Sequence, residues 1–254
     1  MKTVILLSRF LCVCVMVTGI AAPGVRAQAA PTPTTAEIDA KLAKYFEFYS
    51  RGLPTLTIEE EIARATKANA GQKPEEIVIS KSMVQLSAQH LPSSERPPGI
   101  PPLLLQGVFG SDLAVMGMPV SARSLLISDR TFLFTQYMVR VSRVFSDDAR
   151  GLSPGDTIIV SMGGGSLTVD GVLVRAIDPA FDQFTLHQPL ILMLKAVPGT
   201  ETYRAVAPWT FTIKGGLAAV ASKIQPGRGA GQKSLPDFLS DVENAVAYAR
   251  SRRK

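Results

Sequence analysis

The stretch FLFTQYMVRVSRVF, residues 132–145, decides the fold of this 254-residue chain. It is rich in β-branched and aromatic residues, which are enriched in strands. Within it Tyr137, Val139 and Val141 alternate with Met138, Arg140 and Ser142. Alternation with a period of two is typical of a strand that buries one face. The stretch therefore predicts a long, half-buried β-strand.

Turn signals and further β-rich runs surround this strand. Ser128–Arg130 predicts the turn before it, residues 153–156 predict the turn after it, and Asp170-Gly171 predicts a two-residue hairpin. Further strands are predicted at Arg123–Ser128, Thr157–Ser161, Leu167–Val169, Val172–Val174, Leu186–Val197, Tyr203–Ala207 and Trp209–Lys214. Roughly six to eight short strands in about 100 residues favour a small barrel or sandwich. The predicted fold class is mainly β with flanking helices (α+β).

A resemblance to known proteins is carried by five segments: Ser128–Thr131, Val139–Val144, Pro154–Ile158, Leu190–Leu194 and Leu235–Val242. Together they resemble a group of uncharacterised secreted bacterial proteins with an OB-fold or netrin-like β-barrel domain. The resemblance implies an OB-like barrel over residues 103–215 and a closing helix after it. Its motifs are structural, so it implies no activity. Eukaryotic netrin-like domains include protease inhibitors, but their N-terminal cysteines are missing here and that role is not implied.

The parts of the chain outside the barrel are predicted to be helices and linkers. Residues 28–91 form a helical N-terminal segment in this prediction, with capping boxes at Thr34-x-x-Glu37 and Thr57-x-x-Glu60. Residues 75–91 are compatible with one helix or with a strand followed by a helix. The further predicted segments are a Pro-rich linker (92–102), a Gly-rich linker (216–233) and a basic C-terminal helix (234–254). We expect residues 103–254 to fold without residues 28–91.

Residues 1–27 are predicted to be a cleavable signal peptide. A basic start is followed by thirteen uncharged residues, Phe10–Ala22, and small residues precede a cleavage site after Ala27. The alternative is an uncleaved anchor, which normally needs about 18 or more uninterrupted apolar residues. Cleavage would remove both cysteines, Cys12 and Cys14. The predicted location is secreted or periplasmic.

Positive charge is concentrated at the C-terminus. The full chain carries a formal net charge of +6, and residues 223–254 contain seven basic and three acidic residues. Four of these basic residues, Arg250, Arg252, Arg253 and Lys254, follow an amphipathic helix and are candidates for attachment to an anionic membrane surface. The alternative is a basic last turn that complements the helix dipole.

Catalytic signatures are incomplete in this sequence. Residues 227–234 lack the decisive glycine of a phosphate-binding loop, and Gly163–Ser166 lacks the glycine that follows a nucleophilic serine. Two histidines, His90 and His187, are too few for a usual zinc site once the cysteines are removed. The remaining candidates are Asp178 and Asp182, two carboxylates in a loop between predicted strands.

The function predicted from sequence is an exported, non-enzymatic binding or interaction module. The expected partner is an envelope or extracellular protein or a glycan. No cofactor, nucleotide or specific nucleic acid is expected. Two alternatives stay open: an envelope hydrolase that uses carboxylates, and a structural envelope component attached through its basic tail.

Overall fold

The computed structural model describes residues 40–41, 56–80, 97, 99–146, 150–179, 181–221 and 232–252. Its helices are α1 (Ile58–Ala68), α2 (Pro102–Gly110) and α3 (Leu235–Arg252). Its strands are β1 (Glu76–Ser80), β2 (Leu113–Leu126), β3 (Leu133–Ser146), β4 (Thr157–Gly163), β5 (Gly165–Val169), β6 (Val172–Ile177), β7 (Leu190–Ala196), β8 (Thr202–Lys214), β9 (Leu217–Val220) and β10 (Lys233–Ser234). No helix among these residues is long and apolar enough to cross a membrane. The predicted class, mainly β with flanking helices, is confirmed.

Five strands close into a barrel. β2, β3 and β4 are consecutive antiparallel neighbours, and β7 pairs antiparallel with both β2 and β8. A short parallel pairing between Ile159–Ser161 of β4 and Thr202–Arg204 of β8 completes the ring. The OB fold is likewise a five-stranded, partly open barrel. The predicted OB-like barrel is therefore confirmed.

The barrel interior follows the alternation that the sequence of β3 predicted. Tyr137, Val139 and Val141 are buried among apolar residues of the other four strands, while Met138 and Arg140 are exposed. The predicted Asp170-Gly171 hairpin joins β5 and β6, and both turn residues have positive φ angles of 50° and 78°. Positive φ at both positions is what a type I′ hairpin turn requires.

A second, three-stranded sheet leaves the barrel after β4. Its order is β1-β6-β5, with β1 parallel to β6. The chain turns from β4 into β5 at Gly164, where φ is +90° and a β-carbon would lie 2.7 Å from Gln183 Nε2 and 2.8 Å from the Ala176 carbonyl oxygen. Glycine is required there both for the backbone angle and for the close approach. Gly163–Ser166 is thus a crossing between two sheets.

The described part of the N-terminal segment is built into this sheet. The predicted capping box is confirmed, since the Glu60 amide donates to Thr57 Oγ1 at 3.2 Å and the Thr57 amide donates to Glu60 Oε2 at 2.7 Å. At the start of α1 the Ile58 amide donates to the Arg130 carbonyl at 2.8 Å. The Arg130 Nε also donates to Glu59 Oε1 at 2.7 Å, and this contact lowers the pKa of Glu59. The helix α1 therefore docks on the turn between β2 and β3.

The expected independence of residues 103–254 from residues 28–91 does not fit these contacts. β1 pairs with β6 over five residues, and Ile58, Ile62 and Ile79 are buried in one cluster with side chains of β3, β5 and β6. Parallel pairing between strands so far apart in the chain leaves no local sequence signal, which is why the sequence did not predict it. Of the predicted helix that begins near Thr34, only the helical residues Ala40 and Lys41 lie within the described residues.

Two predicted linkers contain regular structure. The helix α2 begins at Pro102, at the end of the predicted Pro-rich linker, because proline is tolerated in the first turn, where its missing N–H has no helical partner. The predicted Gly-rich linker 216–233 includes β9 and ends at Lys233 in β10, which pair with each other. The predicted C-terminal helix is confirmed as α3, whose apolar side packs on the barrel through Phe238, Val242 and Val246.

Candidate functional site

A cleft of about 650 Å³ lies beside one end of the barrel. The end of β6, the loop before β7 and parts of β8 and β9 form its walls. Its polar lining consists of Arg175, Asp178, Asp182, Gln183, Thr185, Gln188 and Thr212. Its volume falls within the roughly 300–1,000 Å³ that small-molecule sites occupy. The cleft is therefore large enough for a ligand made of one to a few hexose-sized units.

Both carboxylates that the sequence proposed, Asp178 and Asp182, line this cleft. Asp178 is 5% exposed, whereas Asp182 is exposed to solvent. A turn brings them to the same wall, because the Phe181 amide donates to the Asp178 carbonyl at 3.1 Å. The structure thus places the two candidates in one site, which their spacing in sequence could not establish.

Gln183 is fixed at the inner wall of the cleft by two hydrogen bonds. Its Oε1 accepts from the Tyr137 hydroxyl at 2.6 Å, and its Nε2 donates to the Gly163 carbonyl at 2.8 Å. These bonds join the cleft loop to β3 and to the end of β4. Sequence analysis missed Gln183, because a polar residue in a loop carries no signal for a partner 46 positions away.

Two aromatic side chains of the same loop close the end of the barrel. Phe184 lies 4.8 Å from the Tyr137 ring, and Phe181 lies 5.8 Å from Phe184 in an edge-to-face arrangement (centroid distances). All three belong to the apolar cluster inside the barrel. The cleft loop is consequently anchored by its apolar residues, while its polar residues face the cleft. Such anchoring holds the polar groups in place before any ligand arrives.

High pH is expected to destabilise the wild-type chain more than the Tyr137→Phe variant. Burial raises the pKa of Tyr137 from 10.0 to about 12, so the folded chain holds the phenol proton more tightly than the unfolded chain. The stabilisation of the folded chain by the protonated phenol is on the order of 2 kcal/mol and is fully present below the pKa of Tyr137 in the unfolded chain. It is lost as the pH rises toward the pKa of Tyr137 in the folded chain. Urea unfolding at about pH 9 and about pH 11.5 measures it. Tyr248→Phe, on α3, is the control and should lose as much stability as the wild type. An equal loss in wild type and Tyr137→Phe would contradict the prediction.

The rim of the cleft is linked to the N-terminal segment. Arg175, on the outer face of β6, lies 3.3 Å from Glu76 Oε1 on β1 through its Nη1 atom. Both side chains are about half exposed, and ion pairs of this kind contribute little to stability. The pair places the Arg175 guanidinium next to Glu76 of the N-terminal segment.

A polar row crosses the outer face of the barrel and is buried except at Arg123. Arg123, Gln136, Ser161 and Arg204 are cross-strand neighbours on β2, β3, β4 and β8, and Arg123 Nε donates to Gln136 Oε1 at 2.8 Å. Gln136 Nε2 and Ser161 Oγ are buried and have no hydrogen-bond partner among the described residues. OB folds bind oligonucleotides and oligosaccharides on the corresponding strands. Since Gln136, Ser161 and Arg204 are all buried here, the cleft is the more accessible candidate.

The candidate attachment residues of the tail differ in their surroundings. Arg250 Nη2 donates to the Phe145 carbonyl of β3 at 3.1 Å, so its guanidinium helps to hold α3 on the barrel. Arg252 Nε donates to the Tyr248 hydroxyl at 3.3 Å within α3. Arg253 and Lys254 lie outside the described residues. Surface attachment through this tail stays a prediction.

The described residues of the other sequence motifs make ordinary structural contacts. Ser234 accepts a hydrogen bond from the Asp237 amide at 3.3 Å at the start of α3, and Lys233 Nζ lies 2.6 Å from Asp241 Oδ2. His187 lies in the turn before β7, where its amide donates to the Pro119 carbonyl at 2.8 Å, and His90 lies outside the described residues. In the described ranges no group of three or more His, Cys, Asp or Glu is arranged to hold a metal ion.

Comparison with protein-family models and with curated proteins gives no match to this chain. The candidate site therefore rests on the geometry of the cleft alone.

Proposed function

We propose that the chain is an exported, non-enzymatic binding module that holds a polar ligand, most simply a glycan, in the cleft at the end of its barrel. The observation that carries the proposal is the cleft itself, in which carboxylate, amide, hydroxyl and guanidinium groups converge on a loop anchored by Phe181, Phe184 and Gln183. Export and the resemblance to secreted bacterial barrel proteins belong to the same proposal.

The chemistry of the lining favours a neutral, hydroxyl-rich ligand. Asp178 and Asp182 provide oxygen acceptors, Arg175 provides donors, and Gln188 can both donate and accept. Sugar hydroxyls also donate and accept, so they match such a mixed lining. An anionic ligand is disfavoured, because one guanidinium does not balance two carboxylates and is itself paired with Glu76.

A hydrolase is the second candidate, because two carboxylates line one cleft and one of them is buried while the other is exposed. Glycosidases use a pair of carboxylates in which different surroundings separate the roles of acid and base or nucleophile. In that case a polysaccharide that binds in the cleft would also be cleaved there.

Binding is expected to depend on the cleft side chains that face solvent. Residues 28–254 should co-sediment with at least one of three insoluble polysaccharides: peptidoglycan, chitin or cellulose. The double variant Asp182→Asn/Gln188→Ala should weaken that binding at least tenfold, or about 1.4 kcal/mol, since each substitution removes a hydrogen-bonding group. Glu201→Gln, an exposed carboxylate outside the cleft, should bind as the wild type does.

Two results would count against this proposal. Failure to sediment with all three polysaccharides, or equal binding by the double variant, would remove the cleft as a glycan site. Release of soluble reducing sugar that disappears in Asp178→Asn would favour the hydrolase.

A further inference from the structure

The outer edge of β1 carries backbone N–H and C=O groups that do not bond to β6. The register Glu76↔Leu173 and Val78↔Arg175, with the Leu173 amide donating to the Glu75 carbonyl at 2.9 Å, fixes which residues of β1 bond to β6. In a parallel pair alternate residues bond to the same neighbour, so residues 75, 77 and 79 face β6. The N–H and C=O groups of Glu76, Val78 and Ser80 consequently point away from the sheet. In the described residues no strand pairs with this edge.

We propose that this edge joins two copies of the chain into a symmetric dimer through antiparallel β1–β1 pairing centred on Val78. A two-fold axis at Val78 places Val78 opposite Val78 of the second copy and Glu76 opposite Ser80 of the second copy. All outward-facing groups then form hydrogen-bonded pairs, each of which exchanges two bonds in an antiparallel ladder. A two-fold axis closes the assembly, because both copies use the same edge.

Charge fixes the centre of the pairing. An axis at Glu76 would place two glutamates directly opposite each other, which destabilises a sheet. The axis at Val78 keeps the two Glu76 side chains at opposite ends of the paired strands and sets each against a serine. The acidic start of one strand, Glu75-Glu76, then meets the uncharged end of the other at Ser80. A second copy therefore fits this edge in hydrogen bonding and places no like charges opposite each other.

The side chains on the outer face of the sheet also favour a second copy of the chain as the partner. Val78 is 58% exposed, the largest exposed fraction among the large apolar side chains of the described residues. The register places the partly exposed Leu173 beside Glu76 and Ile177 beside Ser80. In the dimer Val78 of each copy covers its counterpart, and the apolar residues of the two β6 strands flank the junction. Charged side chains and proline are among the devices that keep a sheet edge single, and the residue at the centre of this edge, Val78, is neither.

Sedimentation velocity of residues 28–254, from about 1 to about 500 µM, tests the dimer. Joining two short edges buries less surface than a standard interface, so the dissociation constant is expected above about 1 µM. Val78→Pro should raise it at least tenfold and leave the fold intact, because proline removes an outward-facing N–H and is tolerated on a sheet edge. Val78→Lys keeps the N–H and should give the same loss by placing two lysines at the axis. Leu217→Lys, which places the same charge at an exposed leucine on β9, should leave the dimer unchanged.

A cysteine at the axis gives an independent measurement. Residues 28–254 contain no cysteine, and hydrogen-bonded antiparallel pairs bring Cα atoms to about 5.5 Å, within disulfide range. Val78→Cys should therefore form a disulfide-linked dimer under mild oxidation, whereas Thr168→Cys on β5 should not. A wild-type chain that is monomeric at every concentration, or Val78→Pro and Val78→Lys variants that dimerise as tightly as the parent, would overturn the proposal.

Discussion

Replacing Trp209 with alanine is expected to lower the free energy of unfolding by about 3–5 kcal/mol, the usual cost of removing a buried indole. Trp209 is 3% exposed and packs in the cluster that joins α2 and α3 to the barrel. The fit to α2 is close, since a β-carbon at Gly110 would lie 2.8 and 2.9 Å from Cζ2 and Cζ3 of the indole. Thermal or urea unfolding monitored by circular dichroism measures the loss.

A double-mutant cycle separates this packing from a general sensitivity of the core. Gly110→Ala should cost about 1–3 kcal/mol in the wild type by overpacking against Trp209. In the Trp209→Ala background it should be neutral or stabilising by up to about 1 kcal/mol, since alanine is the better helix former. Trp209→Phe should cost much less than Trp209→Ala, because phenylalanine leaves a smaller cavity. Both variants remove the buried indole N–H, which has no hydrogen-bond partner among the described residues. Equal costs of Gly110→Ala in both backgrounds would refute the proposed contact.

Deleting residues 56–80 is expected to destabilise the rest of the fold by about 5–9 kcal/mol. Three isoleucines, Ile58, Ile62 and Ile79, are buried in the cluster that they share with β3, β5 and β6, and each contributes about 1.5–3 kcal/mol by burial. The deletion also removes the hydrogen bonds between β1 and β6. Since typical domains are stable by about 5–15 kcal/mol, most of the folding free energy is at stake.

The deletion is measured by comparing chains that begin at residue 56 and at residue 81. The longer chain should unfold cooperatively, and the shorter one should melt at a much lower temperature or show no cooperative transition. Equal melting temperatures would mean that α1 and β1 only decorate an independent barrel, as the sequence had led us to expect.

Local patterns predicted the elements whose partners are close in the chain. The alternation at 137–142 gave the strand β3 and its buried face, Asp170-Gly171 gave the hairpin, and Thr57 with Glu60 gave the start of α1. In each case the structural choice depends on residues a few positions apart. Such signals survive without knowledge of the rest of the fold.

Features that depend on distant partners could not be predicted in this way. The pairing of β1 with β6, the burial of Asp178 and the bond between Tyr137 and Gln183 all join segments that sequence alone does not bring together. The two aspartates were predicted as candidates from their loop position, but their placement in one cleft comes from the turn at Phe181 and from the sheets around it. The cleft is formed by segments that lie far apart in the chain, so no local motif predicts it.

The parallel pairing that closes the barrel also limits the order in which its strands can pair during folding. Hairpins such as β2–β3 and β5–β6 join neighbours in the chain and form on the order of microseconds. The second edges of β2 and β4 stay unpaired until β7 and β8 have been synthesised. This requires the chain up to about Lys214. Non-local closure of this kind slows folding and leaves unpaired strands open to aggregation in the meantime. A chain that folds while it is being synthesised would therefore complete its barrel only after most of β8 has been added, however stable the finished barrel is.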